Sequence, residues 1–235
     1  MMVLVIMPPL FKIFKMKKSI LIISILLVSY KTIIAQVIPQ GFLVNPSIIT
    51  VTIGTQVWMK KNLDVTTYQN GDLIERADLP FNNNITQPSW CFYNHNAAFN
   101  NTYGKLYNGY AIKDSRNVCP IGFRVPTNAD FNTLATYVGG VDFCFRLREV
   151  GTSHWTAPNT GANDLYGFTA LPGGYMGDQN SSSNMFGFGY FWTSTPIAGG
   201  GSTNYVRYLA STYGTLREAT VFVLEGGVSV RCIKN

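Results

Sequence analysis

The chain has 235 residues, with 18 Lys+Arg against 12 Asp+Glu and a formal net charge of +6. Five of the cations, Lys12, Lys15, Lys17, Lys18 and Lys31, lie in the first 35 residues, where no acid occurs, which leaves 13 cations against 12 acids. That near-neutral remainder excludes a basic nucleic-acid surface as the source of the charge, and the length suits one domain plus processing segments.

The first 35 residues read as a secretory signal peptide. A basic stretch precedes the almost wholly apolar run Ser19 to Ser29, and the small residue Ala35 would leave Gln36 at the new terminus. Met16-Lys17-Lys18-Ser19 is an alternative start. The apolar run is shorter than the ~20 residues a membrane span needs, so no span is expected after cleavage. No cysteine follows the run, which disfavours a lipid anchor.

Gln36 to Ser47 holds Pro39, Gly41 and Pro46 without a clear period. It reads as a linker, taken to residue 50 ahead of a domain over 51–235. Ile48 to Ile53, a Gly54-Thr55 turn and Gln56 to Met59 predict a first strand pair. Asn70-Gly71 marks a hairpin turn. Residues 77 to 104 read as an Asn-rich loop that Trp90-Cys91-Phe92-Tyr93 pins to the core. Gly104 to Ile112 is a strand or short helix.

Cys119 to Phe131 contains a Gly-aromatic turn, a proline stop and a helix start. Thr127 and Asp130 have capping-box spacing, and Phe131, Leu134, Ala135 and Val138 share one helical face. Gly139-Gly140 stops that helix, and a second is predicted at Phe143 to Val150. Beyond Thr152, Phe168 to Tyr175 reads as a strand running into a turn, and strands are predicted at Tyr190 to Thr195, Asn204 to Leu209, Ala219 to Leu224 and Gly227 to Ile233. Short strands after one helical region indicate an α+β domain with antiparallel pairing.

The ordered set Gln56-Val57-Trp58-Met59, Lys61-Asn62-Leu63, Gly104-Lys105-Leu106-Tyr107-Asn108, Cys119-Pro120 with Arg124-Val125-Pro126-Thr127, Phe168 to Gly174, Tyr190 to Thr195 and Ser229-Val230-Arg231-Cys232 resembles the Fibrobacter succinogenes major paralogous domain family. The resemblance covers about residues 51 to 235. It implies an exported protein of a kind found chiefly in Bacteroidetes and Fibrobacteres. It also implies a C-type lectin-like fold: two short helices, antiparallel and mixed short strands, and long loops on one face. A structural role for Cys119 and Cys232, bridging the helical region to the last strand, comes with it. Phe143-Cys144-Phe145 before Arg146-Leu147-Arg148 departs from the family pattern, and the pairing of Cys144 with Cys91 stays open.

Catalytic constellations are thin. The two histidines, His95 and His154, lie far apart in sequence and read as structural or surface residues, and no nucleophile elbow or HExxH occurs. Lectin-like folds include oxidases with paired reactive cysteines, but Cys232 beside Arg231 reads as an exported half-cystine. Asn159, Asn163 and Asp164 supply oxygen ligands of the kind calcium takes. Asparagines in such a loop more often make turns, so no cofactor is expected and calcium is the one ion to check.

The strongest hint is a set of Tyr and Arg residues in the last third: Tyr205, Arg207, Tyr213 and Arg217, with Tyr208 on the opposite face of its strand. The expected function is a secreted or cell-surface, non-enzymatic binding module for an extracellular glycan or protein. A surface interaction module without a small ligand is the alternative, and an oxidase or hydrolase on the same fold the third.

Overall fold

The computed structural model describes residues 48–77, 86–177, 182–199, 203–219 and 224–235. All of these lie in one compact unit, Pro46–Asn235. The leader, most of the linker, Asn82-Asn83-Asn84 and the middle of the expected strand Ala219 to Leu224 lie outside them. Among the described residues no helix is long and apolar enough to cross a membrane.

The architecture is mixed α+β, with short strands in three sheets and few short helices. β1 (Thr50–Ile53) and β2 (Gln56–Met59) form the expected hairpin around Gly54-Thr55. β2 continues through β13 (Ile233–Lys234) to β6 (Phe123–Arg124), giving the order β1-β2-β13-β6. The six-stranded sheet has the order β3 (Glu75–Arg76), β4 (Ser89–Cys91), β5 (Leu106–Tyr107), β12 (Gly227–Val228), β7 (Tyr175–Met176), β8 (Ser182–Ser183). The third sheet is β11-β10-β9, built from Tyr213–Ala219, Asn204–Ala210 and Phe188–Pro196, antiparallel throughout.

Among the described residues three α-helices punctuate the strands: α1 (Asn100–Tyr103), α2 (Gly109–Lys113) and α3 (Asn128–Tyr137). The α3 start is the predicted capping box. Thr127 Oγ1 accepts from the Asp130 amide at 3.1 Å, and the Asp130 carboxylate accepts from the Thr127 amide at 2.6 Å. Such a cap is worth about 1 kcal/mol. The helix buries Phe131, Leu134 and Ala135 against Phe191 and Leu209 of the β9–β10–β11 sheet. Trp58, fully buried, lies 5.1 Å from Phe131 and 5.6 Å from Phe168, so the first hairpin is nailed to the same core. Burying a Phe side chain there contributes roughly 1.5–3 kcal/mol.

Three expectations are corrected. The second helix is a 3-10 segment, Val141–Leu147, because Arg148 turns extended to make a parallel bridge with Ala170. The strand expected to start at Phe168 is reduced to a single bridge at Ala170, since Thr169 takes φ 53° and breaks it. Gly227 to Ile233 splits into β12 and β13, because the Arg231 between them turns fully inward.

Cys119 and Cys232 form a disulfide, closing a span of 113 residues. Cys91 and Cys144 do not pair: both are free and buried, Cys91 against Leu106 and Met176, Cys144 in the core with Phe131 and Leu147. Burial pushes the Cys144 thiol up to about 12 and raises that of Cys91 well above its ordinary value. Both stay protonated at neutral pH, which keeps them inert.

Candidate functional site

Side chains alternate across a strand, so the register of the third sheet decides which of its residues share a face. Trp192 pairs with Val206 and Val206 with Ala219, while Tyr190 pairs with Tyr208 and Tyr208 with Arg217. The Trp192–Val206 row is fully buried. One step outward the face opens. Tyr190 and Tyr208 rings lie 5.3 Å apart, Phe188 stacks on Tyr190 at 5.7 Å, and Tyr175 of β7 meets Tyr190 edge-on at 5.5 Å. Phe188, Tyr208, Tyr175 and Tyr213 are half-buried, and Arg217 is exposed.

Polar groups edge this aromatic face. The Asn184 amide donates to the Tyr190 hydroxyl at 3.1 Å, and the Arg217 guanidinium lies 4.2 Å over the Tyr213 ring. Burial, then a hydrogen bond with the Tyr208 hydroxyl, pushes Tyr213 up to about 12, so the phenol is neutral at physiological pH. Rings with apolar bodies and fixed polar tips can stack on one face of a ligand and hydrogen-bond its rim.

The turn leading into β9 is strained. Asn184 and Phe186 take φ 63° and 66°, a region that costs a bulky residue of order 1–3 kcal/mol. Three hydrogen bonds impose it: Phe186 N donates to Pro172 O at 3.0 Å, Thr156 N to Phe186 O at 2.7 Å, and Phe188 N to Asn184 O at 3.0 Å. Gly174 makes room, since a Cβ there would stand 2.7 Å from Met185 N and from Ser183 O. The result aims Asn184 at Tyr190 and leaves Phe186 43% exposed against Phe99 and Tyr103. Beside them His154 Nδ1 lies 2.8 and 2.9 Å from the two carboxylate oxygens of Glu149. Burial and that carboxylate push the Tyr103 hydroxyl up to about 12.

The face and its strained turn lie within residues 51–234, the stretch that matches the family model of the Fibrobacter succinogenes major domain. The chain belongs to that family. No curated protein and no solved structure matches it.

Within this Fibrobacter succinogenes major domain the four sequence candidates divide. Tyr213 and Arg217 join the aromatic face. Tyr205 is half-buried, beside a shift in the β9–β10 register. Arg207 is only 4% exposed. Its Nη1 donates to Asn128 Oδ1 at 2.8 Å and Asn132 Oδ1 at 3.0 Å and pairs with Glu218 at 3.3 Å, so it ties the sheet to α3. Its expected place on an accessible surface is therefore corrected.

The calcium candidates each hold a local turn. Asp164 accepts through its two oxygens from the Thr169 amide and hydroxyl, both at 2.7 Å, and Asn163 Oδ1 accepts from the Leu165 amide at 3.2 Å. Asn159 is buried and donates to the Glu149 and Gly151 carbonyls at 2.9 and 2.6 Å. Among the described residues no group of three or more His, Cys, Asp or Glu side chains is placed to hold a metal ion. Sequence reasoning missed Tyr175, Asn184, Phe188 and Tyr190. The alternation of Phe188, Tyr190 and Trp192 against Val206, Tyr208 and Ala210 was the available signal. Only the register makes it one face.

Proposed function

We propose that the protein is an exported, non-enzymatic binding module that holds an extracellular glycan on the aromatic face of its β9–β10–β11 sheet. A C-type lectin-like arrangement, with short strands presenting a loop-edged face, is part of the same reading. The observation that carries it is the row Tyr190–Tyr208–Tyr213, buried at Tyr190 and half-buried at Tyr208 and Tyr213, edged by the Asn184 amide and the Arg217 guanidinium. Flat rings suit the apolar faces of pyranoses, and amide, hydroxyl and guanidinium groups suit their hydroxyl rims. A rigid strand scaffold holds these groups in place before a ligand arrives, which lowers the entropic cost of binding.

A non-enzymatic role is supported by how the nucleophilic groups are used. Cys119 and Cys232 are bonded to each other, and the Cys91 and Cys144 thiols are buried and protonated. His154 is engaged by Glu149. The exposed Phe186 beside Phe99 favours a second reading, in which the module contacts a cell-surface protein.

A glycan array probed with the protein, with and without calcium, separates the two. Sugar binding that Tyr208→Ala removes supports the first reading. Silence across all sugars, with capture of a cell-surface protein that Phe186→Ser abolishes, replaces it with the second.

A further inference from the structure

We infer that the glycan is acidic, and that Arg217 reads a uronic-acid carboxylate at the edge of the aromatic face. This inference rests on the glycan-binding reading above and names the class of sugar. Arg217 is exposed and makes no hydrogen bond or ion pair with another described residue. Other arginines are committed: Arg116 pairs with Asp114 and Asp72, Arg124 with Asp130, and Arg207 with Glu218. The carboxylates on or against β11 are also engaged elsewhere. Glu218 accepts from Arg207 and Asn128, and Asp142 accepts from Thr215.

Among the described residues the aromatic face, from Phe188, Tyr190 and Tyr208 to Tyr213, carries no acid, so Arg217 is the charge that those residues present along it. The guanidinium carbon lies 4.2 Å over the Tyr213 ring, which holds the cation beside the face, and its N–H donors bond to no other described residue. A planar fork of donors matches the two oxygens of a carboxylate. A pyranose lying against Tyr208 would then present a C6 carboxylate to Arg217 and its ring hydroxyls to Asn184. Charge complementarity selects the sugar, and the rings hold it.

The test is calorimetric titration of the protein with galacturonate, glucuronate and mannuronate oligosaccharides, each beside its methyl ester. At least one acid should bind about tenfold tighter than its ester, the worth of one charge-assisted contact. Added salt should erode that preference. Arg217→Gln should bring acid and ester to equal affinity with the melting temperature unchanged, and Arg217→Lys should restore part of the preference. Equal affinity for acid and ester overturns the acidic-glycan inference and leaves the glycan reading standing. A sulfated oligosaccharide bound in preference to every uronate overturns the carboxylate assignment. Binding of no sugar, acid or ester, overturns both.

Discussion

Arg231 donates through Nε and Nη2 to a single atom, Asn62 Oδ1, at 3.1 and 2.8 Å, across 169 residues of chain. The guanidinium is fully buried, 4.5 Å from the Phe168 ring centroid, with further donation to the Phe168 and Thr169 carbonyls. Burial lowers its pKa to about 9. A buried charge deprived of its acceptor is expensive, so Asn62→Ala should cost about 3–5 kcal/mol. Asn62→Asp keeps an acceptor and should cost less. Urea denaturation of both variants checks the order, and Asn62→Asp unfolding first would contradict it.

The α3 cap makes stability depend on acid. Burial would raise the Asp130 carboxyl, but the Arg124 guanidinium and the Thr127 amide and hydroxyl outweigh it and hold it below 3.8. Asp114, beside Arg116, is held at about 2. Both folded-state values are depressed. Their stabilisation is therefore full above the unfolded carboxylate value and is lost as pH falls through the folded values. Melting temperature should drop steeply between pH ~4 and ~2. Asp130→Asn should melt lower at pH 7 and show a shallower acid limb, and an unchanged limb would count against the pairing.

The disulfide closes a span of 113 residues. In the chain-entropy account, a loop near that length is worth about 4–5 kcal/mol to the folded state. The double variant Cys119→Ser, Cys232→Ser should lose that much in chemical denaturation. Reductant should have no effect on it, because the remaining thiols, Cys91 and Cys144, are already free. A reductant-sensitive double variant would show a bridge between those two.

Local signals were legible where local physics decides. The capping box of Thr127 and Asp130, the Gly54-Thr55 hairpin and the apolar face of α3 follow from residues a few positions apart. What was illegible depends on partners far along the chain. Arg207 looks like a surface cation by alternation beside Tyr205, yet Asn128 and Asn132, 79 and 75 residues away, bury it. Tyr190 and Tyr208 become neighbours only through the register of β9 and β10. Phe186 gives no sign in sequence of its left-handed backbone, which Pro172 and Thr156 impose from other segments.

Gly174 allows the strained turn to close beneath Tyr93. A methyl group there would meet Met185 N and Ser183 O at 2.7 Å and the Tyr93 ring at 2.8 Å, on a backbone at φ 60°. Gly174→Ala should therefore cost at least 1–2 kcal/mol from the left-handed conformation alone. Amide exchange at Gly187 and Phe188, whose amides donate to the Asn184 carbonyl, should accelerate more than exchange in α3. Uniform acceleration would mean the turn is not an independent unit.

The most direct test of the binding face compares wild type, Tyr208→Ala and Tyr205→Ala on one glycan array, with melting temperature as the folding control. Tyr208 lies between Tyr190 and Tyr213 on the aromatic face, whereas Tyr205 sits apart, beside the β9–β10 register shift. Tyr208→Ala should weaken sugar binding at least about tenfold, as removal of a stacking ring requires. Tyr205→Ala should bind as wild type does. Full binding by Tyr208→Ala, or loss confined to Tyr205→Ala, would contradict the assignment of this face.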